Sequence, residues 1–152
     1  MSVTKTLSNE FVFEFGRGTV SFDDEYAVFK LILLDDEFVF DRTSHDRYSD
    51  VSASELATDH GYTQEGEVLV ASAAWARDDV NHKATIEWEH VSITASEGAI
   101  GPSNAAIVLL YDSLSPEDSL VVGCIDFGDP ITVPDGLTLQ LQNLGFDLLQ
   151  GE

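Results

Sequence analysis

The stretch "YAVFKLILL", residues 26–34, is apolar at nearly every position. A strand with one face in water alternates apolar and polar residues, whereas an unbroken apolar run indicates a strand that is buried on both faces. The run is far shorter than the ~20 residues needed to cross a bilayer. The stretch therefore predicts a central strand of a sheet that is covered on both sides.

Similar short runs recur along the chain and are separated by turn residues. They occupy residues 11–15, 37–41, 67–77, 83–89, 91–95, 104–112, 119–127 and 137–149. Runs rich in β-branched and aromatic residues at this spacing are typical of about eight strands in an antiparallel fold. The sequence therefore predicts an all-β protein, either an antiparallel β-sandwich or a jelly-roll-like barrel.

One short helix is predicted over residues 53–59. Ser52 has the character of an N-cap, Glu55 stands three residues later as its capping-box partner, and Gly61 follows the expected end. A helix of about two turns does not organise a fold of this size, so it is expected to be peripheral.

The chain of 152 residues is long enough for one domain with one core. We divide it into residues 1–25, an N-terminal arm with a first strand, and residues 26–152, the β-sandwich domain. The first strand is "FVFEF" at 11–15, with a turn at Gly16 and Gly18. Residues 1–10 are polar, and we expect them to reach a neighbouring subunit.

The composition is strongly acidic, with 7 Lys+Arg against 28 Asp+Glu and a net charge of -21. Nucleic acids and anionic membranes require a basic footprint, so neither is expected as a partner. Hydrophobic residues make up 43%, which is too much for a disordered acidic tail. The composition indicates a folded protein that works in strong brine, or otherwise an ordinary acidic mesophilic protein.

The N-terminal "MSVTKTLSNE" has no apolar segment, so no secretory signal peptide is expected there. Cys124 is the single cysteine, which excludes a disulfide within the chain and a cysteine-rich zinc site. Its neighbours in "LVVGCIDF" predict a small buried side chain on a strand.

The acidic stretch "WARDDVNHKATIEWEHVSIT", residues 75–94, resembles a catalytic or metal-binding site in its composition. Strand alternation places Glu87 and Glu89 on one face and Trp88 on the other. A glycosidase needs its two carboxylates on either side of a bond, roughly 5 to 9.5 Å apart. Two carboxylates that are neighbours on one face of a strand do not lie on either side of a substrate bond. We expect "RDDVNH" to be a hairpin turn, and Trp75 and Trp88 to pack into the core.

The sequence contains no catalytic or cofactor-binding motif, and no cofactor is predicted. There is no G-x-S-x-G, and "GRG" is too short for a phosphate-binding loop. The four histidines, His45, His60, His82 and His90, lack zinc-site spacing. Calcium binding by carboxylate groups stays open, with two candidate groups: Asp35, Asp36, Glu37 and Asp41, or Asp78, Asp79 and Asn81.

The order of the segments resembles a family of small β-rich proteins encoded among the virion genes of tailed bacterial and archaeal viruses. The similar stretches are residues 29–51, 52–72, 75–94, 105–112 and 120–141. Their most telling elements are "GYTQEGE", "ARDDVNHKATIEWEHV" and "CIDFG". The chain differs in its extra N-terminal segment, roughly residues 1–25, and in its acidic loops.

The resemblance implies a non-enzymatic component of a virus particle, most of all a protein that decorates the capsid or forms turrets on it. A tail or baseplate component and a carbohydrate-binding adhesin are the alternatives. The expected location is the virion, and the expected partners are further copies of the chain, other virion proteins such as the major capsid protein, and a host surface glycan. The acidity fits a virus of a salt-loving host.

Overall fold

The computed structural model describes residues 3–20, 27–69 and 71–149, which form ten strands and two α-helices. The strands are β1 (Thr4–Leu7), β2 (Val28–Asp35), β3 (Glu67–Leu69), β4 (Ala71–Asp78), β5 (Lys83–Trp88), β6 (Val91–Thr94), β7 (Ile100–Tyr111), β8 (Leu120–Val133), β9 (Thr138–Leu141) and β10 (Leu144–Leu149). The helices are α1 (Asn9–Gly16) and α2 (Tyr48–Val51), with 3-10 turns at Ser52–Ser54 and Pro116–Asp118. All the strand pairs are antiparallel, which confirms the predicted all-β class.

The strands form three sheets. The largest has the order β1-β8-β7-β2-β3, the second has the order β10-β5-β4, and β6 pairs with β9. Because β3 and β4 follow each other in the chain, they link the first two sheets along one side. On the other side the edges of these sheets are β1 and β10, which do not pair with each other.

Strand β2 is buried on both faces, as its apolar run predicts. Leu31, Ile32, Leu33 and Leu34 are all fully buried. Alternate side chains enter two separate cores, because Leu31 and Leu33 belong to one apolar cluster and Ile32 and Leu34 to the other. The predicted start of this strand at residue 26 lies outside the described residues.

The first core lies between the large sheet and the two smaller ones. It joins Leu31 and Val108 of the large sheet to Trp88 and Phe146 of the second and Ile93 of the third. The close approach of the two larger sheets depends on Gly123, because a Cβ there would lie 2.8 Å from the Phe146 ring.

The second core lies on the outer face of the large sheet and is covered by the segment between β2 and β3. Phe38, Tyr48 and Val51 from this segment pack on Ile107 and Cys124 of the sheet. Cys124 is buried on β8, as predicted, and burial raises the pKa of its thiol to about 12.

The predicted strand at 11–15 is wrong, because these residues lie in helix α1. Ser8 caps the helix, since its hydroxyl accepts a hydrogen bond from the Phe11 N–H at 3.0 Å. The helix places Phe11 and Phe15 on one face with ring centroids 6.0 Å apart, and leaves Phe13 57% exposed. The alternation of the phenylalanines was compatible with a strand, but the capping serine and the four-residue spacing favour a helix.

The predicted strand at 37–41 is also wrong, because this segment pairs with no strand. The side-chain amide of Asn104 donates to the carbonyls of Asp36 and Phe38, at 3.2 and 2.9 Å. The Asp41 N–H donates to Nδ1 of His45 at 2.9 Å. Side chains thus satisfy backbone groups that a neighbouring strand would otherwise bind.

The helix predicted over 53–59 is wrong as well. The helix in this region is α2, and Ser52, the expected N-cap, stands at its C-terminal end. The Asp50 carboxylate accepts from the Arg47 N–H at 2.9 Å and so caps α2 at an earlier position. Glu55 is extended, because tyrosine hydroxyls rather than a helix backbone bind its carboxylate.

The N-terminal segment contributes a strand to the large sheet. Thr4–Leu7 pairs with residues 123–126 of β8, and the Ser8 N–H donates to the Val122 carbonyl at 2.9 Å. The polar residues expected to form a free arm are thus held in the sheet from residue 4 onward. The boundary that we placed between residues 25 and 26 lies outside the described residues.

The remaining strand predictions are confirmed with changes of extent, except that the predicted strand 67–77 is divided between β3 and β4, which lie in different sheets. The predicted run 137–149 is two strands, β9 and β10, which turn at Asn143 with a φ of 56°. The hairpin between β4 and β5 is present, and the Asp78 carboxylate closes it by accepting from the N–H groups of Val80 and Asn81 at 3.1 Å. Trp75 is partly buried, and its ring lies 5.3 Å from that of Phe15.

We expect Trp88→Ala to lower the free energy of unfolding by about 3–5 kcal/mol. The side chain is 4% exposed and contacts the rings of Phe29 and Phe146, so its removal leaves a cavity between the sheets. Chemical denaturation followed by circular dichroism measures the change. Glu89→Gln, one residue away and exposed, is the control and should leave stability unchanged; equal effects of the two variants would contradict the core assignment.

Candidate functional site

A groove of about 1110 Å³ runs along the open side of the fold, between the edges formed by β1 and β10. Residues of β1, α1, β5 and β10 line it. Ligand sites in proteins are concave surfaces of this size, and they commonly lie between packed elements. The groove is therefore the candidate binding surface of this protein.

One wall of the groove comes from the acidic stretch that stood out in the sequence. Glu87, Glu89 and His90 line the groove and are exposed. Trp88 also contributes to the lining, but it is 4% exposed and packs in the core. The predicted alternation of this strand is confirmed, and it turns the carboxylates toward the groove without making them a pair across a cleft.

Two of the protein's 7 basic residues, Lys5 and Arg42, also line the groove. The Lys5 ammonium donates to the Asn143 carbonyl at 2.6 Å, and the Arg42 guanidinium donates to Oδ1 of Asn9 at 2.9 Å. Partial burial lowers the pKa of Lys5, and the nearby carboxylate of Asp147 opposes that shift. Both basic side chains are thus held in place by contacts to neighbouring segments.

A smaller apolar cavity of about 300 Å³ adjoins the groove. Its lining includes Ala106, Ile125, Phe127 and Leu144, all of them buried residues of the first core. Val3 also lines it and is 54% exposed. The two spaces share Lys5, Gln142, Asn143 and Leu144, so the cavity lies directly beside the groove.

The outer edge of the β1 backbone presents groups that pair with no strand among the described residues. The Ser8 N–H donates to β8, and backbone groups along an antiparallel strand alternate in direction. Thr4 and Thr6 therefore share the direction of Ser8 and face β8, whereas Lys5 and Leu7 direct their N–H and C=O groups away from it. No described strand pairs with that outer edge.

A second polar cluster surrounds the buried carboxylate of Glu55, which is 8% exposed. The hydroxyls of Tyr48 and Tyr62 donate to its two oxygens, and the Glu65 N–H donates to Oε2 at 3.0 Å. Gly66 makes that contact feasible, because a Cβ at this residue would lie 2.0 Å from the Leu31 carbonyl oxygen. The loop therefore lies directly against β2.

This cluster joins the two cores, because Tyr62 belongs to the first and Tyr48 to the second. The Leu33 N–H donates to the Tyr62 hydroxyl at 3.0 Å, which attaches the cluster to β2. Burial raises the pKa of Glu55, against the lowering effect of the tyrosine hydrogen bonds. Burial likewise raises the pKa of Tyr48 and Tyr62 above the ordinary tyrosine value. The arrangement holds a loop in place and presents no exposed reactive group.

Two of the carboxylates that we considered for calcium, Asp41 and Asp78, accept hydrogen bonds from their own loops. The Asp41 carboxylate accepts from the Thr43 hydroxyl and N–H, which lowers the pKa of Asp41. The Asp78 carboxylate accepts from the Asn81 side chain and backbone, which lowers the pKa of Asp78. In the described part of the chain, no group of three or more His, Cys, Asp or Glu is placed to hold a metal ion.

The histidines are dispersed over the molecule. Nδ1 of His45 accepts a backbone hydrogen bond, and its ring stacks on Phe38. Nε2 of His60 lies 3.3 Å from the Asp59 carboxylate. His82 has a φ of 54° in the hairpin turn, and His90 lines the groove. Of the four, His90 is the one at the candidate site.

The sequence predicted that Glu87 and Glu89 lie on an exposed polar face, but it did not predict the groove that they line. The opposite wall comes from Lys5, and that residue is 138 positions from its hydrogen-bond partner Asn143. No local pattern links two such segments. The Glu55 cluster was missed for a different reason, because we interpreted Glu55 as a helix-capping residue.

Comparison of the chain with protein-family models, with curated protein sequences and with solved structures gives no match in any of the three. Across the described ranges, none of the helices combines the length and apolar character needed to cross a bilayer.

We expect the stability of the protein to depend on pH through Glu55. Because its pKa is raised in the folded state, the folded protein keeps a proton that the unfolded chain has lost. The free energy of unfolding should therefore fall as pH rises from about 4.3, the ordinary glutamate value, to the raised folded-state pKa. Glu55→Gln lacks this titration, so its stability relative to the native protein should rise across that range.

Denaturant titrations between about pH 4 and pH 8 in molar salt measure this difference, and salt suppresses the contribution of exposed carboxylates. Glu89→Gln, at an exposed position, is the control and should differ from the native protein by a constant amount. A constant difference for Glu55→Gln would show that Glu55 titrates alike in the folded and unfolded states.

Proposed function

We propose that this protein is a non-enzymatic structural component of a tailed-virus particle, located on the head as a decoration or turret protein. The single observation that carries the proposal is the groove between β1 and β10, where an open sheet edge borders a large concave surface. An open edge presents unpaired backbone groups to another chain, and proteins that do not use such an edge usually cover it. This surface suits assembly with a partner protein.

The viral assignment rests on the resemblance of several stretches, which together span most of residues 29–148, to small virion proteins. The stretch "ARDDVNHKATIEWEHV" of that resemblance forms the β4–β5 hairpin and one wall of the groove. In this proposal the partners are further copies of the chain and other virion proteins such as the major capsid protein. The net charge of -21 fits a virus of a salt-loving host.

A carbohydrate-binding adhesin is the second candidate, and the polar lining of the groove favours it. Exposed Glu87, Glu89 and Arg42 provide hydrogen-bonding groups for sugar hydroxyls. The aromatic residue at that position, Trp88, is buried and offers no face for a sugar ring. We therefore place the adhesin, which would act at a tail, second to the head protein.

Quantitative mass spectrometry of separated heads and tails tests the proposed location. A decoration or turret protein should be present on heads at a fixed copy-number ratio to the major capsid protein, and it should be absent from tails. A few copies confined to tails would support the tail or adhesin assignment instead. Absence of the chain from purified particles would contradict a virion role altogether.

We expect association to fail before folding as salt is removed. At 0.01 M salt the Debye length is about 30 Å, so the carboxylates of neighbouring copies repel one another, whereas at 1 M it is about 3 Å. An interface has less buried area than a core and resists this repulsion less. Sedimentation velocity and circular dichroism on the same samples, from about 3 M to about 0.05 M NaCl, measure the two events.

The alternative, an ordinary acidic mesophilic protein, predicts a different result for the same measurement. An ordinary acidic protein should keep its association state and melting temperature over the whole salt range. Loss of the fold at a higher salt concentration than loss of association would also contradict our expectation.

A further inference from the structure

We propose that the groove between β1 and β10 binds an extended, positively charged segment of a partner protein, and that one apolar side chain of this segment fills the cavity beneath β1. The inference deepens the proposed function and rests on it for the statement that the partner is another virion protein. The binding itself is a property of the isolated chain.

The open edge of β1 determines the conformation of the occupant. Lys5 and Leu7 direct their backbone N–H and C=O groups outward, and both residues line the groove. A peptide in extended conformation satisfies such groups by strand addition, in which main-chain hydrogen bonds supply affinity. A helix has no free main-chain groups along its length and does not fit this edge.

The apolar cavity determines one side chain of the occupant. It lies beside the groove at Lys5 and Asn143, and its volume of about 300 Å³ has room for one large side chain such as Leu or Phe. Ala106 leaves space at its base, and Ile125 and Phe127 form apolar walls. A buried apolar anchor surrounded by polar contacts is the usual source of binding energy at a protein interface.

Charge determines the remaining composition of the occupant. Glu87 and Glu89 project from the groove wall, and no salt bridge of the described residues engages either of them. The third carboxylate in the groove, Asp147, is paired with Lys83 at 2.9 Å. Lys5 and Lys83 interact electrostatically with Glu87 but form no direct ion pair with it, and the groove's own cations, Lys5 and Arg42, donate hydrogen bonds to Asn143 and Asn9. Lysine or arginine beside the apolar anchor therefore supplies the direct ion pairs that Glu87 and Glu89 lack within the described part of the chain. A second copy of this chain has a net charge of -21 and therefore does not complement these carboxylates.

Selection from a library of random twelve-residue peptides, displayed against the full chain in about 0.3 M NaCl, tests the proposal. We expect the enriched peptides to alternate apolar and polar residues, with Lys or Arg near one Leu, Ile or Phe. The most enriched peptide is then synthesised for fluorescence anisotropy. Methylation of its alternate backbone nitrogens should weaken binding at least about tenfold, because it removes the main-chain donors.

Two groove variants and their controls locate the binding site. Ala106→Leu fills the cavity and should weaken binding about tenfold or more while stability is kept. Its control, Ala76→Leu, adds the same side chain at an exposed position of β4 and should bind normally. The double variant Glu87→Lys and Glu89→Lys should also lose binding, whereas Glu97→Lys with Glu117→Lys makes the same charge change on exposed loops and should reduce binding much less.

Three outcomes overturn the proposal. The first is that no peptide is enriched above an empty support. The second is that the enriched peptide binds all four variants equally. The third is that the chain alone forms dimers that Ala106→Leu dissociates, which would assign the groove to a second copy. Each of these outcomes is independent of copy numbers on heads and tails, so failure here is distinguishable from failure of the proposed function.

Discussion

The fold depends on the burial of three adjacent strands, β2, β7 and β8, on both of their faces. Because residues such as Leu33 and Leu34 point in opposite directions and are both fully buried, the large sheet needs a covering layer on each side. The smaller sheets supply one layer. The other is a loop segment with only the short helix α2 and one 3-10 turn, so its polar groups cannot all find partners in regular structure. Glu55 solves part of that problem, because its carboxylate binds two tyrosine hydroxyls and a backbone N–H between the cores.

The same arrangement leaves one side of the molecule open. The chain passes directly from β3 to β4, so the two larger sheets are covalently joined along that side. Along the other side, β1 and β10 come from opposite ends of the sequence and are joined by no turn. The Lys5 side chain crosses part of the gap to the Asn143 carbonyl. A groove at this position is thus a consequence of topology, and a partner strand would extend the layer that the described strands form.

Local patterns were sufficient to predict the strands with strong apolar runs, because burial itself produces those runs. They failed where a side chain from a distant segment decides the backbone. Residues 37–41 look like a strand, yet Asn104 binds their carbonyls, and Ser52 with Glu55 looks like a capping box, yet the tyrosines hold that carboxylate. For the same reason, the sequence indicated the exposed residues of one wall of the candidate site and not those of the other. The alternation of Glu87 and Glu89 is local, but the opposite wall at Lys5 depends on how the two ends of the chain meet.

The distribution of charge affects the folding of the chain and its association with a partner differently. Among the described residues Glu55 is the one carboxylate that is buried, so the other described carboxylates carry their negative charge at or near the surface. Surface charges repel one another over a distance that salt controls, but they do not impose desolvation costs on the core. An approaching partner, by contrast, must cover some of those carboxylates. At the groove this cost falls on Glu87 and Glu89, so a cationic partner is favoured there even where the fold itself is indifferent to charge.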